Sequence, residues 1–399
     1  MKSFWFVRAS GCTVAAFLAA WFAGSQATAA PITPGNIVVF RAGSGTNTLN
    51  STTGNDVILD ERTTTGSLVQ SIAITATGAG TKLITAGAAT AEGALSISPD
   101  GRWITFGGYN TTVGGAVNLP GSASSSIPRS VGILDTTTGN FTLTTAGTFY
   151  NAGAIRTAYS SDGNQFWTAG SNTGILYGTV SGGTSVLVNG TSAGTTNRVM
   201  GQYGSDLYIA TASGSLPTVG LLGGNPLAGT VPTSNNVIPN IPRQGGTPVT
   251  SRYGFTFLDT NPAVAGIDTL YTVDDSASSG GLWKYTLDSS GTWNAAGSIT
   301  GLTGLLRGLA GGVDGSNVKL FLTGSANTLW TYTDTNAASS TLSGTLSAFT
   351  SLVVASGSTA FRGVALVPVP EPGMTSLIGL GAAGLGSVAW ARRRRTRGG

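Results

Sequence analysis

The stretch Ala94-Leu95-Ser96-Ile97-Ser98-Pro99-Asp100-Gly101-Arg102-Trp103-Ile104-Thr105-Phe106 decides how this chain folds. Apolar residues alternate on either side of an Asp-Gly turn, the pattern of two short antiparallel strands with one face buried. It returns at Arg156-Thr157-Ala158-Tyr159-Ser160-Ser161-Asp162-Gly163, followed by Gln165-Phe166-Trp167-Thr168. Weaker copies begin near Arg198, Tyr253 and Leu306, and the last keeps its turn at Asp314-Gly315. Such self-similarity is the mark of a repeat architecture.

After the copies come further strand pairs about glycine turns, at Val131–Leu143, Gly174–Val188, Gly281–Trp293 and Leu329–Leu342. Each unit thus reads as four strands recurring roughly every 45–60 residues, the spacing of propeller blades. Ala360-Phe361-Arg362-Gly363-Val364-Ala365-Leu366 looks like the opening strand of one more unit, yet the body ends with it. The strands it lacks stand at the other end, at Asn36–Arg41, Val57–Glu61 and Ser67–Ile74. A blade shared by both ends closes the ring and removes free sheet edges. The expected fold is all-β: a β-propeller of about six four-stranded blades, or seven if Leu216–Pro248 hides another. An open β-sandwich or a β-solenoid draws on similar strands, but the recurring unit and the split closure favour the propeller.

Gly, Ser, Thr and Ala dominate, and charged residues make up only 9% of the chain, which by itself would fit disorder. Disordered chains, however, lack β-branched and aromatic residues in alternation, and Trp103–Phe106, Leu207–Ile209 and Val318–Leu322 have them. Two of the 20 basic residues (Lys2, Arg8) lie near the start and five (Arg392–Arg395, Arg397) at the end. Thirteen are left against 15 of the 16 acidic residues, Glu371 lying in the tail, so the body is mildly acidic and offers no basic patch for nucleic acid. The single cysteine, Cys12, precedes the body, which therefore forms no disulfide and relies on packing.

Both ends carry topogenic signals. Residues 1–29 read as a secretory signal peptide: Lys2 and Arg8 ahead of the apolar run Val14–Ala23, then Ala27-Thr28-Ala29 with cleavage before Ala30. Such a leader takes the chain through the Sec translocon. The body spans 30–367, and 368–399 forms a separate tail. In it Val369-Pro370-Glu371-Pro372 precedes Met374–Ala391, uncharged throughout and about 27 Å long as a helix, enough to cross a bilayer's hydrocarbon core. Pro370 and Pro372 block helix extension backward, and Arg392, Arg393, Arg394 and Arg395 act as a cytoplasmic stop. Val-Pro-Glu-Pro, an apolar helix and a terminal arginine cluster in that order resemble the PEP-CTERM sorting signal of Gram-negative exopolysaccharide producers. The resemblance implies that a membrane-embedded exosortase recognises Pro370, Glu371 and Pro372 and removes the helix and the arginines. It implies an inner-membrane intermediate and then the cell surface or extracellular matrix. About activity it is silent.

Histidine is absent from the chain, which excludes Ser-His-Asp and Cys-His catalysis and histidine metal ligation. Without a body cysteine, thiolate zinc sites are excluded too. Paired carboxylates leave one enzymatic route, glycoside hydrolysis, with Asp60/Glu61, Glu92, Asp259, Asp268 and Asp274/Asp275 as candidates. Neighbours on a strand point to opposite faces, however, and most other acids sit in Asp-Gly or Asp-Ser turns. Asp274-Asp275-Ser276 offers oxygen ligands for calcium but lacks a D-x-D-x-D-G loop. We therefore expect no catalytic set, no metal and no cofactor.

One recurrence points to a ligand. Arg156, Arg198, Arg252, Arg307 and Arg362 fall at or beside the start of the first strand of their units. In a propeller that strand lines the central channel, so the five guanidiniums are expected around one mouth. There they would either staple blades through carboxylates or attract an acidic exopolysaccharide or surface protein. Trp103, Trp167, Trp283, Trp293 and Trp330, mostly one per unit, are expected to pack between blades rather than to stack sugars.

Overall fold

Each repeated Asp-Gly turn is a hairpin joining the first two strands of a blade. At Asp162-Gly163 the Asp162 carboxylate accepts hydrogen bonds from the amides of Asn164 and Gln165 (2.9 and 2.7 Å), and Gly163 takes a positive φ of 79°. A Cβ at Gly163 would lie 2.5 Å from the Trp103 ring of the preceding blade, so glycine answers both to turn geometry and to packing. The computed structural model describes residues 29–370, apart from 50–52, 75–79, 116–117, 146, 182–185, 190–195, 213–218, 222–250, 277–279, 302–305, 336, 340 and 343–347. Most of the leader, the expected membrane helix, Glu371, Pro372 and the terminal arginines lie outside the described residues.

Six antiparallel sheets surround an axis. Blade 1 is composite: Ala360–Leu366 is innermost, followed outward by Ile37–Ala42, Val57–Arg62 and Leu68–Ala73. Its closing register pairs Ile37 with Leu366, Val39 with Val364 and Ala42 with Ala360. The others run outward in chain order. Blade 2 is Ser96–Ile97, Trp103–Tyr109, Arg129–Asp135 and Phe141–Thr145; blade 3 is Ile155–Tyr159, Gln165–Gly170, Ile175–Thr179 and Val186–Asn189. Blade 4 shows three strands among the described residues, Asn197–Tyr203, Asp206–Thr211 and Val219–Leu221. Blade 5 is Arg252–Leu258, Thr269–Asp274, Gly281–Leu287 and Trp293–Thr300, and blade 6 is Leu306–Asp314, Asn317–Gly324, Thr328–Asp334 and Thr350–Val354. No α-helix occurs among the described residues. The blades number six, with the ring closed by strands from both ends.

One strand pair differs from its expected position. The third strand of blade 6 pairs with Thr350–Val354, not with the segment reaching Leu342. Leu342 instead bridges Gly297 of blade 5.

The core is a set of layers between blades. Phe40, Leu59, Ile104 and Phe106 join blades 1 and 2, and Tyr159, Trp167, Met200 and Ile209 join blades 3 and 4. Phe257, Leu270, Trp283 and Trp293 pack into blade 5 where it meets blade 4, and Tyr271, Leu282, Leu320 and Leu322 join blades 5 and 6. Trp103 and Trp330 pack at the margins of two such layers. Around the axis the inner strands approach closely. A Cβ at Gly254 would lie 2.7 Å from the Arg307 carbonyl, at Gly308 2.7 Å from the Arg362 carbonyl, and at Gly363 2.4 Å from the Gly93 carbonyl.

Candidate functional site

The inner strands all run the same way, which gives the ring two chemically distinct mouths. One is formed where they begin, at Ala94, Val199, Tyr253, Arg307 and Arg362. The other is formed where they end and is lined by Tyr203, Phe257, Asp314, Phe321 and the outgoing segment Leu366–Val369. The arginine-bearing mouth is therefore opposite the face from which the tail leaves. Both ends emerge on that tail face, where Gly35 N–H donates to the Val367 carbonyl (2.8 Å) and Val367 N–H to that of Asn36 (3.0 Å).

Four of the five recurring arginines gather at the first mouth. Arg307 donates through Nε and Nη2 to Asp275 Oδ2, both at 2.8 Å, and lies over the Tyr253 ring at 5.2 Å. Arg198 also lies over that ring, at 4.2 Å, and donates to the Tyr253 hydroxyl. Arg156 reaches the Asn197 carbonyl (3.3 Å), and Arg362 reaches the Gly87 carbonyl (2.9 Å) and Asn327 Oδ1 (3.4 Å). Only Arg307 among these four pairs with a carboxylate among the described residues. Nε of Arg156, Arg198 and Arg362 and Nη1 of Arg307 are buried without a hydrogen-bond partner among the described residues. Such donors are costly unless something else receives them.

Arg252 is not part of this group. Its neighbour Tyr253 faces the mouth, while Arg252 is turned into its own blade, 1% exposed, over Trp283 (4.8 Å) and donating to the Tyr285 hydroxyl (2.7 Å). Asp274 lies 3.9 Å from it and accepts from the amides of Ser251 and Ser276. Asp274 and Asp275 thus point to opposite faces, and their partners are arginines and backbone amides. Asp60 and Glu61 divide likewise, Asp60 toward Arg41 and Arg62, Glu61 toward Asn36 and Gln70. Among the described residues no cluster of three or more acidic side chains is arranged to hold a metal ion.

Blade 2 lacks the arginine, having Ala94 at that place, but contributes a carboxylate. The segment that leads into its first strand crosses the mouth and brings Glu92 to the cavity with Arg307 and Arg362. Glu92 accepts from the Tyr109 hydroxyl (2.5 Å) and, more distantly, from the Ala86 amide (3.3 Å). Burial raises its carboxyl to about 7, against the lowering effect of these hydrogen bonds and of Arg156. Burial likewise lowers Arg198 and Arg362 to about 10, and the neighbouring like charges, Arg156 and Arg307 for Arg198 and Arg307 for Arg362, add to it. The sequence marks Glu92 only as one carboxylate of several, because its place follows from a loop path and not from the repeat. The cavity measures about 20 Å³, room for roughly one water-sized atom and not for a sugar ring.

The far end of the chain has a clear relationship. Residues 368–395 match the PEP-CTERM protein-sorting motif. The PEP-CTERM signal marks an exported protein that an exosortase sorts to the cell surface of a Gram-negative bacterium, in keeping with the tail's sequence. Pro370 is the last described residue, three positions beyond Val367, so the PEP-CTERM signal starts directly at the closed ring. No curated protein matches the chain in sequence. Among solved structures, a chain from a nidogen–laminin complex aligns over 84% of this chain and 98% of its own at 13% identity, TM-score 0.44. The periplasmic gluconolactonase of Pseudomonas aeruginosa aligns over 74% and 78% at 15% identity, TM-score 0.41. At such identities likeness says nothing about activity.

Proposed function

We propose that this exported protein is a surface or matrix component that holds anionic extracellular polymer, an acidic polysaccharide above all, at the arginine-bearing mouth of its ring. The observation that carries the reading is the gathering of Arg156, Arg198, Arg307 and Arg362 at one mouth with four buried donor nitrogens unpartnered among the described residues. Four guanidiniums against Asp275 and Glu92 leave the mouth net positive although the body is acidic. Guanidinium forks match carboxylate and sulfate geometry. The mouth is also the face away from the tail, so a chain tethered through its sorting signal presents it outward.

The full-length chain, purified in detergent, is titrated with the producer's own polysaccharide and with neutral dextran. Binding of the acidic polymer alone, weakened about tenfold or more by Arg307→Gln with Arg362→Gln while the melting temperature holds, is the expected result. Equal affinity of wild type and double variant would sink the reading. Turnover of the polymer in the same samples, lost on an Asp or Glu substitution, would move it to a carboxylate enzyme.

A further inference from the structure

Glu92 is an odd neighbour for four guanidiniums. It is 5% exposed and lines the same cavity as Arg307 and Arg362, yet no cation lies within ion-pair distance of it among the described residues. Its oxygens are turned to Tyr109, Ala86 and Thr85. The groups that face it are Tyr109 and Arg129 from blade 2, Arg156 from blade 3, Arg362 from blade 1, and Arg307 across the cavity. A fixed carboxylate so placed offsets part of the arginine field without satisfying any arginine donor. An incoming anion competes with that field and not with a hydrogen bond.

We propose that the mouth receives one monoanionic group end-on, a carboxylate or sulfate at the tip of a sugar chain, and that Glu92 tunes this capture as a built-in competing charge, so that acidification tightens it. The proposal rests on the reading of the mouth as an anion site. The cavity holds little more than one water-sized atom, so a guest meets it through the oxygens of a terminal group, and a ring stays outside. The titration falls in a useful range, since burial holds the Glu92 carboxyl near 7 whereas sugar carboxylates stay ionised well below that. Of the two carboxylates at the mouth Asp275 is held by Arg307, so protonating Glu92 removes the like charge that no arginine pairs among the described residues, an effect on the order of tenfold in affinity for a close buried pair.

The full-length chain in detergent is titrated calorimetrically between pH 5.5 and 8.5 with an oligogalacturonate, with a sulfated oligosaccharide and with a neutral galactose oligomer. Wild type is expected to bind one or both anions roughly tenfold more tightly at the acid end, and Glu92→Gln to bind tightly at every pH. A carboxylate guest and a sulfate guest are told apart by which arm responds. If the Glu92→Gln slope equals that of wild type, the tuning role is wrong and the anion site stands. If neither anion binds at any pH, the anion site itself is wrong. Should Glu92→Gln fail to fold, Tyr109→Phe supplies the second arm: it removes a hydrogen bond that favours the carboxylate, so the midpoint of the wild-type slope must move to higher pH, and an unmoved midpoint overturns the proposal.

Discussion

At the scale of single residues, Glu92 costs the empty protein stability. Its folded carboxyl sits near 7, above its ordinary 4.5, so the native state holds a proton that the unfolded chain releases. Stability from this group is fully present below about 4.5, declines as pH rises toward 7, and is absent above it. The span corresponds to something on the order of 3 kcal/mol. Melting temperatures of wild type and Glu92→Gln should therefore diverge above pH 7 in favour of the variant and converge near pH 4.5; parallel curves would show that Glu92 is not destabilising. Lys284 is the contrasting case. Fully buried, it donates to Asp334 Oδ2 at 2.8 Å, and Tyr271 donates to the same oxygen at 2.6 Å, tying blade 5 to blade 6. Lys284→Met leaves a buried carboxylate without its cation, and urea unfolding should register a loss of about 3–5 kcal/mol.

Among the elements, the inner strands are the most constrained. The backbone of each presses on the next, so a methyl group at Gly363 would meet the Gly93 carbonyl at 2.4 Å and the Leu95 amide at 2.5 Å, neither of which can rotate away. Gly363→Ala is expected to cost roughly 1–3 kcal/mol in thermal or chemical unfolding, whereas Gly80→Ala, with nothing within 4 Å, should be close to neutral. A neutral Gly363→Ala would mean that the inner strands have room to part at the axis. These strands also show how legible the sequence was. Five blades were readable from alternation, three of them also from an Asp-Gly turn, and both signals are local. The register of Arg252 was not: one residue decides whether a side chain faces the axis or its own blade, and alternation alone does not say which. The end of blade 6 was misplaced for a related reason, since Leu342 reads as a strand residue but spends its apolar side chain against blade 5.

For the whole molecule, closure is the event on which the rest depends. Ile37–Ala42 has the last strand, Ala360–Leu366, as its inner partner, so a chain ending at Thr359 exposes a strand edge with four apolar residues in a row. Such a truncation should lose cooperative unfolding and scatter light at micromolar concentration, because an unpaired edge recruits other chains; a monomeric, sharply melting truncation would contradict the closure. The sorting signal follows the same strand directly, as only Val367–Val369 separate it from Pro370. Replacing Pro370 and Glu371 with alanine should leave the tail uncut in the producing cell, read as the retained mass of residues 373–399, while the ring's melting temperature stays unchanged.

By itself the sequence determined the strand-and-turn repeat, the split closure, the mildly acidic body and the PEP-CTERM tail, and left the blade count between six and seven. All of these rest on neighbours in the chain: alternation, turn chemistry, hydropathy and charge runs. Tertiary structure decided what meets at the axis. It turned Arg252 inward to its blade, put Tyr253 in its place against Arg198 and Arg307, and carried Glu92 across the mouth to Arg156, Arg307 and Arg362. Those residues come from five blades and from a loop outside the repeat, and only closing the ring brings them within reach of one another.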